Sequence, residues 1–154
     1  MMFPARTPLA VVVATTLVLA GCATPAPPPV AMAPSATPRV TGLFAITSRT
    51  EGDIVIDGRG YALYRSSDDD SSPPRSACTG PCADQWPPVS WAPDLRLEGI
   101  NRQLIGTYRR PDGRIQLTLG GWPLYEYAGD RTPGETNGRG RDGRWWLVRP
   151  DGSS

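Results

Sequence analysis

The stretch GGWPLYEYAGD at residues 120–130 has a counterpart earlier in the chain, RGYALYRSSDD at residues 59–69. At one constant offset Gly60 meets Gly121, Tyr61 meets Trp122, Leu63 meets Leu124, Tyr64 meets Tyr125 and Asp69 meets Asp130. Each copy continues through a polar excursion to a tryptophan, Trp86 in the first and Trp145 or Trp146 in the second. The copies span about 43–90 and 104–150, and a unit of fewer than about 50 residues buries too little apolar surface to fold alone. Two copies packed around one core are therefore expected.

Proline and glycine punctuate the chain every few residues, and short runs rich in β-formers lie between them at 43–47, 53–56, 61–65, 114–119, 122–127 and 145–149. Turn signals such as Asp57-Gly58, Pro111-Asp112-Gly113 and Asp142-Gly143 separate the runs. This pattern predicts an all-β single small domain over residues 41–154, made of two tandem β-hairpin-rich repeats. Arg114 to Leu119 alternates polar and apolar side chains, which predicts a strand with one wet and one dry face. Gly120-Gly121 supports a tight turn into Trp122, because glycine takes positive φ without steric cost. Trp145-Trp146-Leu147-Val148 puts apolar groups on both faces of one strand, so burial on both sides is expected. Residues 95–108 read as a short helix or a connector.

The chain opens MMFPARTPLAVVVATTLVLAGC, with one arginine, an apolar run and small residues before a cysteine. That layout is a secretory signal over residues 1–21. Leu19-Ala20-Gly21-Cys22 resembles the bacterial lipobox, and the resemblance implies lipidation of Cys22. Several acyl chains, at roughly 0.8 kcal/mol per buried methylene, hold a protein on a membrane without crossing it. The next 18 residues hold six prolines and little that is large and apolar. They read as a disordered tether over residues 22–40, roughly 50 Å long when fully extended. The expected location is the cell envelope, on the periplasmic or surface face of the outer membrane where the host has two membranes.

Composition narrows the chemistry. Sixteen arginines face 15 acids, a balance that argues against a nucleic-acid partner. The chain has neither histidine nor lysine, which removes serine-histidine and cysteine-histidine nucleophile systems, histidine metal sites, Schiff bases and phosphate-loop lysines. No catalysis and no cofactor or metal are expected.

Three motifs carry a family resemblance. Tyr125-Glu126-Tyr127-Ala128-Gly129-Asp130 is a full Y-x-[FWY]-x-x-D, and residues 64–69 are a second copy with Ser66 at the aromatic position. Residues 78–88 read C-x-G-x-C-A-x-x-W-P-P, and residues 110–125 read R-x-D-G-x-x-Q-x-T-x-G-G-x-P-L-Y. The chain resembles the bacterial predicted-lipoprotein family named for the first motif, also called the secreted repeat of unknown function. The resemblance implies the repeat and the envelope location, and it brings no established activity.

With Cys22 committed to lipid, Cys78 and Cys82 are an even pair in an oxidising compartment, where a disulfide is the expected state. The alternative is a redox or copper-binding C-x-x-x-C. Tyr125, Tyr127, Asp130, Tyr64, Asp69 and Trp86 are the candidate binding residues. Read structurally, the tyrosines pack and the aspartates accept backbone N–H groups in turns. Read functionally, they form an aromatic platform with a carboxylate for a sugar ring or a cation. Asp68-Asp69-Asp70 reads as a solvated turn, and Arg65 and Glu126, at equivalent positions, are expected to pair across a pseudo-twofold axis. Together these features describe a non-catalytic envelope lipoprotein with a binding or structural role. The alternatives are a module binding envelope glycan or a small ligand through exposed aromatics, and a redox or copper carrier using Cys78 and Cys82.

Overall fold

Alternating β-formers around a glycine turn make the first hairpin of the computed structural model, which describes residues 41–154. The signal sequence, Cys22 and the tether lie outside the described residues. Strand β1 (Gly42–Ser48) pairs antiparallel with β2 (Gly52–Asp57), Leu43 opposite Asp57 and Ser48 opposite Gly52. Gly52 turns the corner at φ 73°. After it come the short strands β3 (Tyr64–Ser66), β4 (Asp70–Ser71) and β5 (Pro74–Arg75), the helix α1 (Pro81–Gln85) and β6 (Arg96–Glu98), which lies parallel to β1 on its free edge.

The second repeat rebuilds the same hairpin. Strand β7 (Ile105–Arg109) pairs antiparallel with β8 (Ile115–Leu119) around Pro111-Asp112-Gly113, and β8 pairs with β9 (Trp122–Pro123). Gly120 and Gly121 take φ 58° and 83° in the intervening turn, as the tight corner requires. Gly121 has a second reason to lack a side chain: a Cβ there would lie 2.3 Å from the Ser71 carbonyl oxygen. The last strand is β10 (Trp145–Leu147), paired antiparallel with β3.

The repeats do not close on themselves. In the first, Leu63 N–H donates to the Val55 carbonyl at 3.0 Å, Val55 N–H to the Val148 carbonyl at 2.9 Å, and Val148 N–H to the Leu63 carbonyl at 3.0 Å. In the second, Leu124 N–H donates to the Leu117 carbonyl at 3.0 Å, Leu117 N–H to the Val89 carbonyl at 2.8 Å, and Val89 N–H to the Leu124 carbonyl at 2.9 Å. The cycles are the same with the ends exchanged. Val148, at the end of the second repeat, completes the first hairpin, and Val89, at the end of the first, completes the second.

Two cores follow from this exchange. The aliphatic one gathers the equivalent pairs Val55 and Leu117, Leu63 and Leu124, and Val89 and Val148, all fully buried, with Leu43 and Leu119. A fully buried side chain of this size contributes roughly 1.5–3 kcal/mol. The second core is aromatic and holds Tyr64, Tyr125, Trp86, Trp145 and Tyr127.

Several expectations need correction. Gln116 and Thr118 are buried, so β8 has no wet face. Gln116 is accommodated because its Nε2 donates to the Leu124 carbonyl at 2.8 Å. Only Trp145 and Leu147 of β10 are buried, whereas Trp146 points outward and is 38% exposed. Residues 95–108, read as a short helix or a connector, hold a short 3-10 helix at Arg102–Leu104 but also β6 and the start of β7. The run at 122–127 forms ladder pairs only at Trp122–Pro123 and continues as isolated bridges from Tyr125 to Tyr64 and to Pro88.

Candidate functional site

Tyr64 and Tyr125 face each other across an antiparallel bridge, each N–H donating to the other's carbonyl at 2.9 Å. Their phenols then reach the opposite aspartates. Tyr64 Oη donates to Asp130 Oδ2 at 2.6 Å, and Tyr125 Oη donates to Asp69 Oδ2 at 2.7 Å. The second oxygen of each carboxyl holds a backbone amide, Ala77 N–H on Asp69 Oδ1 and Asn137 N–H on Asp130 Oδ1, both at 2.8 Å. The tyrosine of each motif thus bonds the aspartate of the other. All four side chains are buried, where an unpartnered polar group would be costly. Burial pushes the Asp69 carboxyl up, and burial with the neighbouring carboxylates pushes both phenols well above the usual tyrosine range. Both phenols therefore remain protonated donors at neutral pH.

The tryptophans pair on the same pattern. Trp86 and Trp145 stack with centroids 3.8 Å apart and planes 6° apart. Tyr64 meets Trp86 edge-on at 5.4 Å, and Tyr125 meets Trp145 edge-on at 5.1 Å. The symmetry breaks at one position. Tyr127 lies against Trp86 at 4.4 Å, with the Arg141 guanidinium over its ring at 4.9 Å. Its counterpart Ser66 sits opposite Trp145 in the β3–β10 register. Beside this serine the surface opens into a cleft of about 320 Å³, lined by Ser66, Cys78, Cys82, Trp86, Arg144 and Trp145. Arg144 bonds Asp68 at 2.7 Å on its rim.

Cys78 and Cys82 form a disulfide around the start of α1. Behind it lies a guanidinium that sequence reasoning missed. Arg110 is 2% exposed; its Nη1 donates to Ser76 Oγ at 2.9 Å and Gln116 Oε1 at 2.6 Å, and its Nη2 to the Cys78 carbonyl at 2.5 Å. Ser76 Oγ also meets Tyr125 Oη at 2.6 Å. The spacing of Arg110, Asp112 and Gln116 was visible as R-x-D-G-x-x-Q. Its physical content is that arginine and glutamine flank the hairpin turn and meet, while Nε reaches Asp112 at 3.4 Å. Arg114, whose hydrogen bonds hold the Asp112 carboxyl at about 2, fixes the turn from outside.

Tyr125, Tyr127, Asp130, Tyr64, Asp69 and Trp86 therefore come together, as one buried cluster. Asp69 is not part of a solvated turn, because its carboxyl is the acceptor for Tyr125 and Ala77. Arg65 and Glu126 do not pair. Arg65 lies over the Trp122 ring at 4.1 Å and donates to Ser154 Oγ at 2.6 Å, while Glu126 is hydrogen-bonded by Arg59, which also holds Asp57 at 2.7 Å. Tyr61 and Trp122 are equivalent, and Arg59 lies over Tyr61 at 5.1 Å. A cation stacks on the aromatic directly, whereas the anion at the equivalent place is linked to its aromatic through Arg59. Burial pushes the Glu126 carboxyl up, partly offset by Arg59. Among the described residues no three histidine, cysteine or carboxylate groups converge as a metal site would need, and no helix is long and apolar enough to cross a membrane.

A family model described as a secreted repeat of unknown function matches residues 45–90 and 106–149. The chain belongs to that family. Each match ends just past the valine that crosses to the other hairpin, so one secreted repeat is half of an exchanged pair rather than a closed unit. Membership fits an extracellular or envelope location. Neither the curated proteins nor the solved structures give a match to the chain.

Proposed function

We propose that this secreted-repeat protein is a non-catalytic envelope lipoprotein, anchored through Cys22 and holding its β domain away from the membrane on the proline-rich tether. Its role is binding or structural. The supporting observation is that the leading tyrosine and the aspartate of each motif copy are turned inward and bonded across the repeats, so that these groups do not face solvent. Contact with envelope glycan or protein then falls to side chains outside the motif, foremost the indoles of Trp91 and Trp146, 44% and 38% exposed. Detergent phase partition of cell fractions tests the anchor. The native chain should enter the detergent phase; a native chain found in the aqueous phase refutes the anchor.

A second reading, a redox or copper carrier using Cys78 and Cys82, is favoured by one observation: the disulfide lines the cleft beside Ser66. Thiol alkylation of freshly isolated protein, with and without reductant, tests it. Alkylation before reduction supports the carrier, and alkylation only after reduction removes it.

A further inference from the structure

Trp146 stands where the first repeat has Pro87, and Arg149 where it has Ser90. Since the equivalent corner is built with proline and serine, an exposed indole there is not a requirement of the packing. Trp146 edges a second cleft of about 320 Å³, floored by Ile54 and Leu147 and flanked by Glu51, Arg139 and Arg149. Glu51 is the only carboxylate side chain among the lining residues, against two guanidiniums. Arg139 Nε bonds Glu51 at 3.0 Å, and Arg149 Nη1 reaches the Asp53 carbonyl at 3.3 Å. A guanidinium carries five N–H donors in a planar fork suited to a carboxylate, and these contacts use one at each arginine. Arg65, opposite Trp146 in the strand register, adds a third cation nearby.

We propose that this cleft binds an acidic saccharide, with a sugar ring against the Trp146 indole and the sugar carboxylate on Arg149 and Arg139. The inference rests on the glycan-binding reading above and adds the site and the charge of the ligand. The indole supplies an apolar face with a defined plane, the arginines select the acid, and the Thr50 and Ser154 hydroxyls on the lining suit a polyhydroxyl ligand.

Isothermal titration of the purified chain tests this, using a glucuronic-acid-containing trisaccharide and the neutral glucose trisaccharide as probes. The acidic probe should saturate and the neutral one bind about tenfold more weakly, as expected for loss of a charge-assisted hydrogen bond. Trp146→Ala should abolish binding of both, and Arg149→Gln should remove the preference while the neutral probe still binds. Equal affinity for the two probes overturns the acidic class. Binding that survives Trp146→Ala but is lost in Trp91→Ala overturns this cleft and leaves the broader glycan reading standing. Saturation by neither probe overturns both.

Discussion

Tyr64→Phe opens the Tyr64 end of the cross-repeat clasp. The substitution keeps the ring that meets Trp86 edge-on and removes the hydroxyl, which donates to Asp130 at 2.6 Å and accepts the Gly138 N–H at 3.3 Å. Asp130 keeps its Asn137 amide but loses its phenol in a buried site. A hydrogen bond to a charged group is worth about 1.5–3 kcal/mol, and leaving the acceptor unpartnered puts the loss in the upper part of that range. For a domain of this size, about 2.5 kcal/mol lowers the melting temperature by roughly 10 °C. Thermal unfolding followed by near-ultraviolet circular dichroism, which reports the stacked tryptophans, measures this directly. Tyr61→Phe is the control, because its hydroxyl meets the Arg131 carbonyl at the surface, and such changes usually stay within about 0.5 kcal/mol. A double-mutant cycle of Tyr64→Phe with Asp130→Asn should show coupling of about 1 kcal/mol or more between the two positions. A Tyr64→Phe shift no larger than that of Tyr61→Phe would refute the claim that the motif is a structural clasp.

Other outcomes follow from the same geometry. The phenols of Tyr64 and Tyr125 are raised in the fold, while unfolded tyrosine ionises near pH 10. The stability they contribute is complete below that pH and is lost as pH rises through the folded values, so ultraviolet titration should show Tyr64 and Tyr125 ionising only with unfolding. Gly121→Ala forces positive φ on alanine and drives a Cβ into the Ser71 carbonyl; a loss of about 2 kcal/mol or more in urea unfolding is expected. Reducing the disulfide should lower stability by roughly 2 kcal/mol, read as a drop in urea midpoint on adding reductant, because so short a loop constrains the unfolded chain only modestly.

The hairpin at 43–57 and the strand at 115–119 were legible because runs of β-formers and turn chemistry are local properties. Residues 95–108 were not, since β6 is three residues long and settles by lying against β1 while Leu95 and Ile100 pack into the aliphatic core. The helix at Pro81 could have been found from Gly80-Pro81, a glycine ahead of a proline at the first helical turn. Polarity misled at Gln116 and Asp69, both buried because a partner satisfies them: Arg110 across the hairpin turn for the first and the distant Tyr125 for the second. The repeat was plain in the sequence, and Trp145 rather than Trp146 proved the counterpart of Trp86. The exchange of ends was beyond reach, because self-similarity says which segments are alike and not which copy each one joins.

That exchange also dictates when the protein can finish folding. Val55 and Leu63 wait for Val148, and Trp86 waits for Trp145, so the first half has no completed core until residues 145–148 are free to join it. Contacts this distant in sequence close slowly. A frameshift or stop that spares the first 140 residues would then be nearly as damaging as one at the start. The two halves therefore reach the folded state together rather than in turn.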